Sequence, residues 1–302
     1  MTISIPLCYY PMQKIMLDDD KAFSQSILLK MHGKKIIAYD SPRKALDYLL
    51  NEYQPSLTKS DLVAIDFSIN NPSTQCTINI NIEKLKKMLV QENHSDISVL
   101  LVDYHMPEMC GLDFLRQIQH LPIRKALITA EKDSQIGLDA YREGLVDAYV
   151  RKGSPNFITD IENIVSELEW KYFSELSSVV SAIPEFDYLK NSNLLSVFKH
   201  FIKENNIISY CLTDVEGCFL AKNKNEQIHF VVRNKTQLQK LAKVAKEDGA
   251  TEEVILNLEQ GKVIPYFGNK EYWQVPASEW NQYLYPSNFI LGDSNVAWAA
   301  VK

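Results

Sequence analysis

Four kinds of side chain with complementary chemistry stand at the ends of four apolar runs, in the order acid pair, acid, hydroxyl, amine. Leu17-Asp18-Asp19-Asp20 closes the run from Lys14 to Leu17, and Asp103 closes Val99 to Val102. Thr129 follows Ala126-Leu127-Ile128, and Lys152 follows Ala148-Tyr149-Val150-Arg151. Continuous apolar runs this short suit strands buried on both faces of a parallel sheet. In open α/β sheets the crevice beyond the carboxyl ends of the strands is where ligands bind and chemistry is done. Adjacent acids repel one another unless a cation or a basic side chain sits among them. A lone Asp103 would serve as a strand-end or capping residue, but three further groups aligned at successive strand ends point to a site.

The elements that hold these groups are legible around them. After Asp103, Met106-Pro107 breaks the strand, Gly111 allows a tight return, and Leu112, Phe114 and Leu115 begin an amphipathic helix. Ala22 to Met31 reads as a helix with Phe23, Ile27 and Leu28 on one face, ended by Gly33. Lys35 to Tyr39 is a second strand, and Ser41-Pro42 caps a helix from Arg43 to Tyr53.

The stretches LDDD, VDYHMPEMCGLDFL, LITAEKD and DAYVRKGSP together resemble the receiver domain of bacterial two-component response regulators, over Lys14 to about Asn156. The resemblance implies an α/β fold, a doubly wound five-stranded parallel sheet of flavodoxin type. It implies that Asp103 is the phosphoacceptor and that Asp18 and Asp19 hold Mg²⁺ together with Asp103 and the backbone carbonyl of His105. Thr129 and Lys152 are then the contacts of the phosphoryl oxygens, and Tyr149 the aromatic that changes rotamer on activation. The implied partner is a sensor histidine kinase, and the chain is a signalling protein rather than an enzyme. Phosphoryl transfer rewards in-line positioning and charge neutralisation, so Mg²⁺ on carboxylates with one lysine cation is a sufficient kit. One departure is Gly153-Ser154-Pro155 after Lys152, where the family usually has proline directly after the lysine.

A chain of 302 residues is long enough for two domains, each able to bury a core. Its formal net charge of -6 argues against a strongly cationic binder of nucleic acid or membrane surfaces. No apolar run approaches a membrane span, and the first residues lack the basic start and apolar core of a secretory signal. Five scattered cysteines, Cys8, Cys76, Cys110, Cys211 and Cys218, form no CxxC pair, so reduced thiols and a cytoplasmic location are expected.

The expected organisation is an N-terminal arm over 1–13, a receiver over 14–156, a connector helix over 157–183 and a smaller α+β output domain over 184–302. The receiver carries an insertion at 54–98, longer than ordinary loops, with a strictly alternating strand at Thr77 to Ile82 and a helix from Glu83 to Val90. In the connector, Ile158, Val165, Tyr172 and Val179 recur every seven residues with Ile161 and Leu168 between them. Such a stripe fits a coiled-coil seam in a homodimer formed on phosphorylation, or a helix packed along its own receiver. Near 237–262 a degenerate helix-turn-helix offers DNA binding as an alternative output. Glu252 and Glu253, however, stand at the start of its recognition helix, where phosphates and bases favour Arg, Lys, Asn or Gln. The insertion TININIEKLKK and the segment YCLTDVEGCFL resemble a narrower group, the atypical response regulators of Legionella-type quorum sensing.

Overall fold

The computed structural model describes residues 4–67, 76–91, 94–130, 134–268, 270–290 and 293–302. Residues 68–75 and 92–93 of the insertion and 131–133 of LITAEKD lie outside the described residues. The chain divides into two compact units, one of Pro11–Asp61 and Gln91–Leu176, the other of Met1–Tyr10, Leu62–Val90 and Ser177–Lys302.

In the first unit, strands and helices alternate: β1 (Gln13–Leu17), α1 (Lys21–Lys30), β2 (Ile36–Tyr39), α2 (Pro42–Asp47), β3 (Ile97–Asp103), α3 (Gly111–Gln117), β4 (Arg124–Thr129), α4 (Ser134–Arg142), β5 (Ala148–Arg151) and α5 (Phe157–Leu176). The five strands are parallel in the order β2-β1-β3-β4-β5, the flavodoxin-like winding whose order reverses between β1 and β3. Successive side chains point to opposite faces of a strand, and both faces here are covered. Ile15, Leu17, Leu100, Val102 and Leu127 pack with Leu49, Phe114 and Leu115 on one side. Met16, Val99, Leu101, Ala126, Ile128 and Val150 pack with Ile27, Ile161, Val165 and Leu168 on the other. That is why these strands read as unbroken apolar runs.

The last cluster corrects the expected connector. Residues 157–176 are the fifth receiver helix, and Ile161, Val165 and Leu168 are spent on the receiver's own sheet. A seven-residue stripe records only that one helical face is covered; the covering partner here is intramolecular.

At the opposite edge of the sheet from the strand ends, Asp147 accepts from the Lys125 backbone N–H at 3.0 Å and pairs with Arg124 at 3.2 Å and Lys171 at 2.5 Å. Burial opposes its charge, but Lys171, the backbone donor and Arg124 together hold its carboxyl below the ordinary value. A depressed folded-state pKa contributes stability that is present above the unfolded value and lost as pH falls through the folded one. Asp147→Asn is therefore expected to cost about 1–3 kcal/mol near neutrality. The difference from wild type should shrink as unfolding by urea is repeated below roughly pH 4. A gap that is constant with pH would contradict it.

The second unit is built from three chain segments. Its antiparallel sheet runs Cys8–Tyr9, Ser209–Leu212, Cys218–Lys222, Gln227–Asn234, Asp293–Val301, Asn288–Ile290. A hairpin of Val63–Phe67 with Cys76–Ile80 leads into the helix Ile82–Val90, which buries Leu85, Met88 and Leu89 and packs on the Ser209–Leu212 strand. The domain boundaries expected from the sequence thus differ from the structural ones: residues 1–10 and 62–90 complete this α+β unit. Alternating polarity marks which residues share a face but not which sheet receives them.

Helices Lys235–Glu247 and Glu252–Glu259 form the pair expected near 237–262, capped by Asn234 and Thr251. Leu238, Ala242, Ala245, Val254 and Leu258 face a core around the fully buried Trp280. Glu252 and Glu253 are exposed in the first turn of the second helix, where they present negative charge. Among the described residues, no helix is long and apolar enough to cross a membrane.

Candidate functional site

The carboxyl ends of β1 and β3 bring the acids together. Oxygens of Asp18, Asp19 and Asp103 lie within 4.8 Å of one another, with Asp18 and Asp103 buried and Asp19 exposed. Asp20, the third acid of LDDD, does a different job. It caps α1 by accepting from the Phe23 N–H at 3.0 Å, while its own N–H donates to Asp18 Oδ1 at 3.0 Å. The cap therefore fixes the carboxylate before it as well as the helix after it.

Lys152 joins the acids from the end of β5. Its Nζ lies 2.8 Å from Asp18 Oδ2 and 2.8 Å from Asp103 Oδ1. Its backbone N–H donates to the Thr129 carbonyl at 2.8 Å, and its ammonium lies 4.6 Å from the centre of the Phe23 ring. The loop that departs from the family pattern is held by Ser154, whose hydroxyl donates to Asp160 Oδ2 at 2.7 Å. Three carboxylates against one ammonium leave net negative charge in a largely buried space. Burial, with the fields of Asp18 and Asp19, pushes the Asp103 carboxyl up in spite of Lys152. Burial works against the Lys152 charge, and Asp103 and Asp18 outweigh it, so its pKa lies above the ordinary value.

Thr129 ends β4 one residue beyond Ile128, the ladder partner of Asp103. It is fully buried, and its hydroxyl has no hydrogen-bond partner among the described residues. A buried hydroxyl without a partner is costly and suits a ligand oxygen that arrives later. Tyr149 stands in β5 with its ring half-buried against Gly137 of α4, where a β-carbon would meet ring atoms at 2.9 Å. His105 lies two residues past Asp103 in the loop to α3, its ring 4.5 Å from that of Tyr104.

The acids, the hydroxyl and the lysine all reach the same sheet edge from the strand ends the sequence assigned to them. Three supporting residues have no such signal: Phe23 under Lys152, Gly137 under Tyr149 and Asp20 as cap. Gly111 was legible for another reason than the real one. Its N–H donates to the Tyr104 carbonyl at 2.9 Å, and a β-carbon there would collide with the carbonyl oxygen of Asp103. Close approach to the backbone of the candidate nucleophile, rather than a turn, requires glycine.

The donor set fits a hard divalent cation: oxygens only, at least two carboxylates, and excess negative charge.

No family model and no curated protein matches the chain. Among solved structures it is similar to the response regulator LqsR of Legionella pneumophila, with 27% identity, coverage of 100% of this chain and 90% of that one, and a TM-score of 0.80. Partial matches include a response regulator receiver domain from Clostridium thermocellum (17% identity, 52% of this chain and 93% of that one, TM-score 0.34). Another is a receiver domain protein from Methanospirillum hungatei (15% identity, 54% and 97%, TM-score 0.34). Because the first likeness runs through the insertion and the C-terminal unit as well as the receiver sheet, it supports a response regulator of the LqsR type.

Proposed function

We propose that Asp103 is the phosphoacceptor of a two-component phosphorelay and that a sensor histidine kinase is the donor. The observation that carries this reading is the convergence of Asp18, Asp19 and Lys152 on Asp103. A carboxylate oxygen of Asp103 forms the new bond to phosphorus as the bond to the donor imidazole breaks, and the imidazole leaves with the electron pair. Asp18 and Asp19, with Asp103 and the His105 carbonyl, would hold Mg²⁺, which when bound would neutralise charge on the phosphoryl oxygens. Lys152, held by Asp18 and Asp103, supplies one positive charge to the phosphoryl oxygens, and Thr129 donates its free hydroxyl. The chain is in this reading a cytoplasmic signalling switch rather than a turnover enzyme.

The switch acts through Tyr149. When Thr129 is drawn to the phosphoryl group, the ring seated on Gly137 turns inward, and the α4-β5-α5 face changes. The output is a change of oligomeric state, a homodimer forming on phosphorylation, or altered contacts of the C-terminal unit. A setting in quorum sensing rests on the resemblance carried by TININIEKLKK and YCLTDVEGCFL.

Incubation with acetyl phosphate and Mg²⁺ is expected to add one phosphoryl group to the wild-type chain by intact mass. Asp103→Asn should gain none, and a chelator should suppress the gain. An unchanged wild-type mass, or an equal gain in Asp103→Asn, would overturn the assignment.

A further inference from the structure

Cys8 and Cys211 face each other across the first two strands of the second unit's sheet, Cys8–Tyr9 and Ser209–Leu212. The register is fixed from both sides. Leu212 N–H donates to the Leu7 carbonyl at 2.7 Å, which makes Leu7 and Leu212 a hydrogen-bonded position of the ladder. Antiparallel positions alternate, so Cys8 and Cys211 form the closer, non-hydrogen-bonded pair, with Cα atoms about 4.5 Å apart. The next pair, Tyr9 and Tyr210, stacks its rings at 6.0 Å on the opposite face, which leaves both thiols together on the face that the helix Ile82–Val90 covers. A separation near 4.5 Å lies at the short end of the range of about 4.4–6.8 Å that a disulfide spans. Both residues are buried, at 1% and 0% exposure, and both are free thiols.

We infer that Cys8 and Cys211 are a redox modification site, forming a reversible cross-strand disulfide that locks the N-terminal arm onto the edge of this sheet. Burial raises both thiols, that of Cys211 to about 12, so neither reacts while the strand is docked. The strand is only two residues long and sits at the sheet edge, so undocking it breaks few ladder bonds, but it exposes the buried Ile5, Leu7 and Tyr10 with Cys8, which makes oxidation slow. On opening, the Cys8 thiolate attacks a low-molecular-weight disulfide such as oxidised glutathione, forming a mixed disulfide and releasing one thiol. As the strand returns, the Cys211 thiolate attacks the Cys8 sulfur, forming the internal bond and releasing the second thiol. The two protons given up by the cysteines are taken up by the two leaving thiolates. Two protein thiols are oxidised and one small disulfide is reduced. The same exchange run with a reducing thiol reverses the bond. Among the other free cysteines, Cys218 faces Val231 across its ladder and Cys110 is half-exposed before α3, so neither competes for the partner.

The test is oxidation of the folded, full-length chain with oxidised glutathione, acid quench, alkylation and non-reducing peptide mapping. The expected product is a Cys8–Cys211 linked peptide, two hydrogens lighter than its parts and lost on treatment with a phosphine reductant. Cys110 should carry glutathione as the accessible control. Amide exchange at Tyr9 and Tyr10 should slow by at least about tenfold in the oxidised protein. Cys211→Ser should leave glutathione on Cys8 and no linked peptide. Glutathione on Cys110 with no Cys8–Cys211 peptide, or a linked peptide formed only in denaturant, would overturn the site. A linked peptide with unchanged exchange at Tyr9 would overturn the locking role.

Discussion

Glu169→Ala is expected to destabilise the receiver unit by about 3–5 kcal/mol, because it strands a buried cation. Lys14 Nζ and Glu169 Oε1 lie 2.5 Å apart with side-chain exposures of 3% and 2%. The pair is knitted further by Lys14 Nζ donating to the Met12 carbonyl at 2.9 Å and by the Ser98 hydroxyl, 3.3 Å from Glu169 Oε1. Lys14 belongs to β1, whose end carries the acid pair, and Glu169 to α5, so the bridge ties helix to strand beneath the site. Burial lowers the Lys14 pKa, and Glu169 opposes that lowering. For a lysine with a depressed folded pKa, the unfolded chain binds the proton more tightly between the two values, so stability rises with pH in that window. Removing Glu169 deepens the depression and carries the window down toward neutrality. Urea unfolding of Glu169→Ala should therefore show stability recovering with rising pH, more steeply than in wild type. The double change Lys14→Met with Glu169→Met should regain most of the loss, since no charge is then left buried. A single variant within about 1 kcal/mol of wild type at neutral pH would contradict the reading of a buried pair.

Gly111→Ala is expected to slow phosphoryl incorporation by up to roughly 100-fold, the scale on which small misplacements of reacting groups are felt. The added carbon would overlap the Asp103 carbonyl oxygen and sit 3.1 Å from both the Asp103 carbonyl carbon and Tyr104 Cα. All three are backbone atoms, and none can swing aside as a side-chain end could. Either β3 shifts at the residue that carries the nucleophile, or the start of α3 is pushed outward. Overpacking of this kind also costs about 1–3 kcal/mol. Initial rates with acetyl phosphate, read beside urea midpoints, separate the two effects. A wild-type rate in a folded Gly111→Ala protein would show that the loop does not position Asp103.

The convergence of the site groups was legible because it depends on local signals that a parallel sheet makes global. Each group terminates an apolar run, and aligned parallel strands bring their carboxyl ends to one edge. Asp18, Asp19, Asp103 and Lys152 needed no knowledge of the loops between them. Phe23 and Gly137 were not legible, since an aromatic on an apolar helical face and a glycine within a helix have ordinary structural explanations, and only contact with Lys152 and Tyr149 singles them out. Ile161, Val165 and Leu168 gave a true periodicity whose partner was open, and the sheet cluster of the receiver resolved it. The arm and the insertion were hardest. Cys8–Tyr9 is too short for a strand signal, and its pairing partner is Ser209–Leu212, far along the chain. The alternating TININI segment was found as a strand, but its pairing with Val63–Phe67 and its membership of the second unit follow from packing that sequence periodicity does not encode.

Borohydride reduction of the chain after brief exposure to acetyl phosphate and Mg²⁺ puts the central assignment to its most direct test. An aspartyl phosphate is reduced to homoserine, which peptide sequencing by mass spectrometry places at a single residue. Homoserine at position 103, and at no other acid of the cluster, is the predicted result. Homoserine at Asp18 or Asp19, or none anywhere in a folded sample, would contradict it.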